Sequence, residues 1–401
     1  MHILIGIVGI LVFLGLAWIA SSDKKNVRWH YIGLMLVIQM ILAFILLKTT
    51  IGITIVGGIA NGFAYLLKQA AEGVNFVFGG LANDGAMSFF LNVLLPIVFI
   101  SALIGIMQYL KILPVIINVL GFLISKVNGM GRLESYNAVA SAILGQSEVF
   151  ISLKKQLPYI PKHRLYTLTA SAMSTVSASI IGAYFTMVKP EYVVTAVVLN
   201  LFGGFIVASI VNPYKVNEKD DKLLIDEEKK QQSFFEMLGE YILDGFKVAV
   251  IVGAMLIGYI ALITFLNSTI GGIIHFVSGG TLSWNFQTLI GFIFAPLAFL
   301  TGIPWSDAVD AGSIMATKLL SNEFVAMTEL GKASGLSERA LGIVSVFLVS
   351  FANFSSIGII SGAIKSLNDE KGDVVARFGL KLLFGATLVS FISATIAGFF
   401  I

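Results

Sequence analysis

Cysteine is absent from the 401 residues, which excludes disulfides, thiol catalysis and cysteine metal sites together. Histidine is scarce: His2, His30, His163 and His275 are scattered, so no histidine metal cluster is expected. Charge is scarce as well. Only 12% of residues are charged against 57% hydrophobic, when soluble domains carry about 25% charged. Such a chain has too little polar surface to cover soluble domains of this length. The net charge of +3 offers no basic face for nucleic acid. No Walker, HExxH or GxSxG pattern is present, which removes the common phosphate-binding, zincin and hydrolase chemistries. What remains is an all-α, polytopic membrane protein whose main partner is the lipid bilayer.

The hydrophobic runs fit that class. Stretches of roughly 18 residues or more, long enough to cross ~30 Å of hydrocarbon, recur along the chain. They are Ile3–Ala20, Tyr31–Leu47, Ser88–Leu110, Leu165–Val188, Val193–Val211, Phe246–Phe265, Ala340–Ile364 and Gly379–Ile401. The first lacks a basic flank and a small-residue cleavage site, so it reads as a retained span. Four further segments, Ile51–Gly80, Ile112–Lys126, Ala138–Leu153 and Ile270–Glu323, are shorter or interrupted and read as interfacial helices or re-entrant hairpins. Lys and Arg cluster in the connections after the first span, around the third and fourth, in Tyr214–Lys247 and before the last span. If these face the cytoplasm, both termini lie outside. Asn217–Gln232 reads as a solvated linker.

Two acidic residues lie inside apolar segments too short to span: Glu148 in Gly145-Gln-Ser-Glu148 and Glu323 in Ser321-Asn-Glu323. An intramembrane carboxylate is costly unless paired or hydrated, so both are candidates for function. Each is followed by a long span interrupted by polar and small residues, Met173–Tyr184 and Val349–Ile360. Hairpin, broken helix, further span: the order occurs twice and, by the span count, in opposite orientations. That is the inverted repeat of a secondary transporter, with its site at the midplane. The chain then divides into N-terminal spans with an interfacial helix (1–110), a first repeat (111–211), a cytoplasmic loop (212–247), a scaffold span with an interfacial segment (248–285) and a second repeat (286–401). Lys318 is expected to snorkel toward the membrane surface.

Four motifs carry a resemblance that covers nearly the whole chain. They are Gly145–Glu148, Ser174–Tyr184, Gly312–Ala326 and Ser350–Gly358. Together they resemble the concentrative nucleoside transporters, closest to the bacterial NupC-type branch. The resemblance implies eight spans, two hairpins, interfacial helices, a homotrimer and elevator-type motion in a bacterial inner membrane. It implies that Gln146 and Glu148, with Ser147 beside them, contact a nucleobase. Glu323, Asn353 and Ser356 would hold the ribose hydroxyls, while Phe351 and Tyr184 line the base pocket. A carboxylate and an amide can bind vicinal hydroxyls together, and a site so built rejects analogues that lack them.

Sodium-coupled members carry an Asn where this chain has Ser141, four residues before Gly145. Losing that amide oxygen weakens a hard-cation site, so the resemblance points to the proton-coupled branch, with Glu148 and Glu323 as candidate carriers. Ser179 and Ile180 keep the outline of an ion site. No cofactor or resident metal is expected. Sodium coupling, or import of another small polar solute, is the alternative, although no intramembrane cation other than Lys318 stands near to pair a carboxylate substrate. An intramembrane enzyme would need a nucleophile or metal set that is missing.

Overall fold

The computed structural model describes residues 2–82, 88–216 and 232–401, so the linker expected over Asn217–Gln232 lies, apart from its last residue, outside the described residues. The first helices are α1 (His2–Ile19), α2 (Trp29–Lys48) and α3 (Thr50–Phe78). A π turn at Phe90–Leu94 leads into α4 (Pro96–Tyr109). Then come α5 (Ile112–Ser125), α6 (Arg132–Leu144), α7 (Glu148–Ser152), α8 (Lys162–Met173), α9 (Ala178–Phe185) and α10 (Pro190–Val211). Then follow α11 (Phe234–Val277), α12 (Phe286–Leu300), α13 (Ala308–Leu320) and α14 (Glu323–Lys332). The chain closes with α15 (Glu338–Leu348), α16 (Phe354–Leu367), α17 (Asp369–Arg377) and α18 (Gly379–Gly398). No strand occurs among the described residues.

The element order repeats. Helices α5 to α10 run as amphipathic helix, two-armed hairpin, two half-helices and a span; α12 to α18 run the same way, with α17 inserted before the span. Helix α5 shows why its sequence stays at an interface: Leu113, Ile117, Gly121 and Ile124 form one buried stripe at helical spacing, and Val115, Val119 and Leu123 face outward. Spans α10 and α18 sit at the centre, 78% and 83% buried, and pack on each other. By contrast α11 is 17% buried and presents most of its surface outward.

Among the described residues, eight helical segments are long and apolar enough to cross a membrane. Seven coincide with the expected spans. The expected span Ala340–Ile364 is instead two half-helices, α15 and α16, separated at Val349–Asn353. The eighth is α3, a continuous 29-residue helix over the segment expected to be interfacial or re-entrant, and its continuity excludes a re-entrant turn there. Its Gly57, Gly58 and Gly62 face open space, so they tolerate the helix rather than break it. The loop expected to run to Lys247 also ends early, at Ser233. The Ser233 hydroxyl accepts from Glu236 N at 3.2 Å and starts α11 there, so the expected boundary at 247/248 falls inside one helix.

Candidate functional site

Both hairpins turn so that their acid is the first residue of the second arm. In the first, Gly145 takes φ +121°, and a Cβ there would lie 2.5 Å from Glu148 Oε2, so glycine permits both the backbone and the close carboxylate. In the second, Asn322 caps α14, accepting from Val325 N at 3.0 Å, and Glu323 follows it. The breaks lie at Ser174–Ser177 and Val349–Asn353. They meet directly: Phe351 N donates to Thr175 O at 3.0 Å. Asn353 caps the second half-helix, its Oδ1 accepting from Ser356 N at 2.9 Å and Ser355 Oγ at 2.7 Å.

Glu323 is the hub. It is 4% exposed, and its two oxygens are held by different elements. Tyr184 of α9 donates its hydroxyl to Oε1 at 2.8 Å, and Asn353 donates Nδ2 to Oε2 at 3.2 Å. The Tyr184 ring packs 5.1 Å from that of Phe324. Thus Tyr184, Glu323, Asn353, Ser356 and Phe351 are brought into one cluster.

The first tip joins this cluster through α7, which packs against α16. Ser147 Oγ donates to Glu148 Oε2 at 3.1 Å. Glu148 itself is exposed, and its electrostatic neighbours are Asp244 and Tyr241 of α11. Two polar atoms, Gln146 Oε1 and Ser356 Oγ, are buried with no hydrogen-bond partner among the described residues. An orphaned buried polar atom is costly, so each can take a hydrogen bond from water or a bound molecule.

The expected vestigial ion site is internally satisfied. Ser141 is buried and donates to Asn137 O at 2.6 Å within its own helix. Ser177 and Ser179 share a hydrogen bond at 2.8 Å, and Ile180 is buried at the start of α9. Among the described residues no group of three or more His, Asp or Glu could hold a metal ion.

The structure corrects one expectation outright. Lys318 does not snorkel; it is fully buried and points inward to Phe347 O, Ser350 Oγ and Ser390 Oγ. Two amides that the sequence pattern did not single out also support the site. Asn200 donates to Val349 O at 2.7 Å, steadying the second break, and Gln39 donates to Leu199 O at 2.7 Å beside it. Their signal was an amide in the middle of an apolar run, where an unpaired side chain is expensive.

Two re-entrant hairpins, two broken helices that touch at their breaks and a polar cluster at that meeting point define an inverted-repeat membrane transporter of elevator type. Comparison with known proteins makes the class specific. Family profiles described as "Na+ dependent nucleoside transporter N-terminus", "Nucleoside recognition" gate and "Na+ dependent nucleoside transporter C-terminus" match residues 8–81, 90–191 and 192–398. The purine nucleoside transport protein NupG of Bacillus subtilis is 34% identical over the full length of both chains. The nucleoside permease NupC of Helicobacter pylori is 32% identical, over 99% of this chain and 98% of its own. The inward-facing, substrate-bound structure of CNTnw superposes with a TM-score of 0.91 at 28% identity, covering 100% of this chain and 98% of that one. An outward-facing variant of CNTnw gives 0.93 at the same identity and coverage. The chain belongs to the concentrative nucleoside transporter family, whose members are transporters and not enzymes.

Proposed function

We propose that this protein imports nucleosides in symport with protons across a bacterial cytoplasmic membrane, as a homotrimer with both termini outside. The observation that carries the substrate is the Glu323 cluster. A buried carboxylate held by an amide on one side and a phenol on the other matches a pair of vicinal hydroxyls. Gln146 Oε1 and Ser356 Oγ, buried and unpartnered, are where base and sugar would supply the missing donors. The bacterial relatives named for purine nucleosides and for nucleosides support the class.

Proton coupling rests on Ser141. It brings no amide oxygen, and its hydroxyl proton goes to Asn137 O. Glu148 and Glu323 are then the titratable groups at the two tips. Loading with nucleoside and proton satisfies these groups; an empty, charged carboxylate resists crossing because it must lose its hydration. Trimeric assembly and the inner-membrane location rest on family membership. Sodium coupling is a second reading, favoured by the description of the matching profiles and by the Ser179–Ile180 segment. The test is Glu323→Gln in proteoliposomes. We expect concentrative uptake driven by a pH gradient to vanish, and undiminished accumulation would remove Glu323 from the scheme.

A further inference from the structure

Phe347 lies one residue from the end of α15, and in a continuous helix its carbonyl would accept from Phe351 N. That donor is diverted across the molecule to Thr175 O. Lys318, from the first arm of the second hairpin, supplies a replacement. Its Nζ lies 2.6 Å from Phe347 O, 2.6 Å from Ser350 Oγ and 3.1 Å from Ser390 Oγ of α18. Three N–H donors meet three oxygens, and the charge also sits over the Phe347 ring, 4.5 Å from its centroid. The side chain is fully buried, so water does not compete. The charged group that acts on it is Glu323, five residues on and itself held by Tyr184 and Asn353.

The surroundings are those of a bound cation. Unwound carbonyls and the C-terminal ends of half-helices, which carry partial negative charge, are where transporters of this architecture hold coupling cations. Here the place is filled by a residue of the chain. The first repeat has no counterpart at its tip: the one Lys or Arg of its hairpin arm α6 is Arg132, at the end opposite the tip, and the side chains of its break offer only the hydroxyls of Ser174, Thr175 and Ser177. The cost of burying an ammonium argues against mere space filling, because an apolar side chain of the same length would fill the space without it.

We propose that Lys318 is a tethered cation that occupies the second repeat's half-site, holding the break between α15 and α16 in its unwound form. The first repeat's break has no tethered cation of this kind. This inference rests on the transport reading for its consequence but on the lysine's own contacts for its geometry. Lys318 thus acts through the break and Glu323 as a positioning residue.

Three variants of the full chain test it: Lys318→Met, Lys318→Ala and Lys318→Arg. Thermal melting in detergent and nucleoside uptake in proteoliposomes are read with and without methylammonium, using tetramethylammonium, which has no N–H, as control. Lys318→Met keeps the volume and loses the charge; uptake is expected to fall at least about tenfold, the loss of one charge-assisted hydrogen bond or more. Lys318→Ala opens room, so methylammonium raises its melting temperature and restores part of its uptake, whereas tetramethylammonium does neither. Lys318→Met, with the space filled, does not respond. Lys318→Arg, which keeps the charge, retains more uptake than Lys318→Met. Wild-type uptake by Lys318→Met overturns the proposal, as does an identical response of the Ala and Met variants to methylammonium. Failure of the wild type to move nucleosides would sink the substrate reading while leaving the difference in melting intact.

Discussion

Tyr184 and Glu323 stand 139 positions apart in sequence, in different repeats, yet the tyrosine hydroxyl reaches the carboxylate at 2.8 Å. This bond locks the first repeat's half-helix to the second repeat's hairpin. Tyr184 is fully buried, and phenylalanine keeps its ring against Phe324. A hydrogen bond to a charged group contributes roughly 1.5–3 kcal/mol. Tyr184→Phe should therefore bind nucleoside about tenfold more weakly or worse by calorimetry. Unchanged affinity would show that the hydroxyl has no part in presenting Glu323.

Asn353 has two tasks, and two substitutions separate them. Its Oδ1 caps α16 while its Nδ2 donates to Glu323. Serine keeps a capping oxygen but has no amide donor, whereas alanine loses both. Asn353→Ser should melt close to the wild type and lose its preference for nucleosides over their deoxy analogues. Asn353→Ala should lose the same preference and about 1 kcal/mol of stability besides. Retained discrimination in both would move ribose recognition elsewhere.

Arg164 and Glu134 form a buried, bidentate pair between α8 and α6, with Nε–Oε1 at 2.6 Å and Nη2–Oε2 at 2.7 Å. Tyr214 also donates to Glu134 at 2.8 Å. Removing one partner leaves a buried charge uncompensated, which costs roughly 3–5 kcal/mol. Arg164→Met should sharply lower the melting temperature, and adding Glu134→Gln should recover much of the loss. If the double variant were no better than the single, the pair's charge would not be what holds the first hairpin.

Ser141 offers a gain-of-function test. Asparagine at this position restores an amide oxygen on α6, which packs against α9, the helix that carries Ser179. Ser141→Asn should acquire a sodium-dependent rise in melting temperature that the wild type lacks. Absence of any sodium response in the variant would mean that more than this residue separates the chain from a sodium site.

Much of this arrangement was legible in the chain. Glu148 and Glu323 announced the hairpins because carboxylates are expensive in lipid, and the polar clusters at Ser174–Ser177 and Ser350–Asn353 mark the breaks observed. Local signals failed where burial decides. Lys318 has a long, flexible stem, and sequence alone cannot distinguish one that reaches the surface from one that reaches inward to Phe347 O. In α3 the glycines suggest interruptions, yet Gly57, Gly58 and Gly62 face open space in an unbroken helix, so only the re-entrant alternative is excluded. The early start of α11 was signalled by the Ser233-to-Glu236 spacing of a capping box, outweighed by the charge of the preceding stretch. Asn200 and Gln39 carried a signal too, but their partners are backbone carbonyls, which no residue pattern reveals.

Uptake of labelled uridine and guanosine into proteoliposomes, under an imposed pH gradient and separately under a sodium gradient, tests the central claim most directly. Accumulation driven by the pH gradient alone is the predicted result, with the two labels ranking pyrimidine against purine. Accumulation that requires sodium would keep the substrate and contradict proton coupling. Uptake of neither label, beside clear uptake of another polar solute, would contradict the nucleoside reading itself.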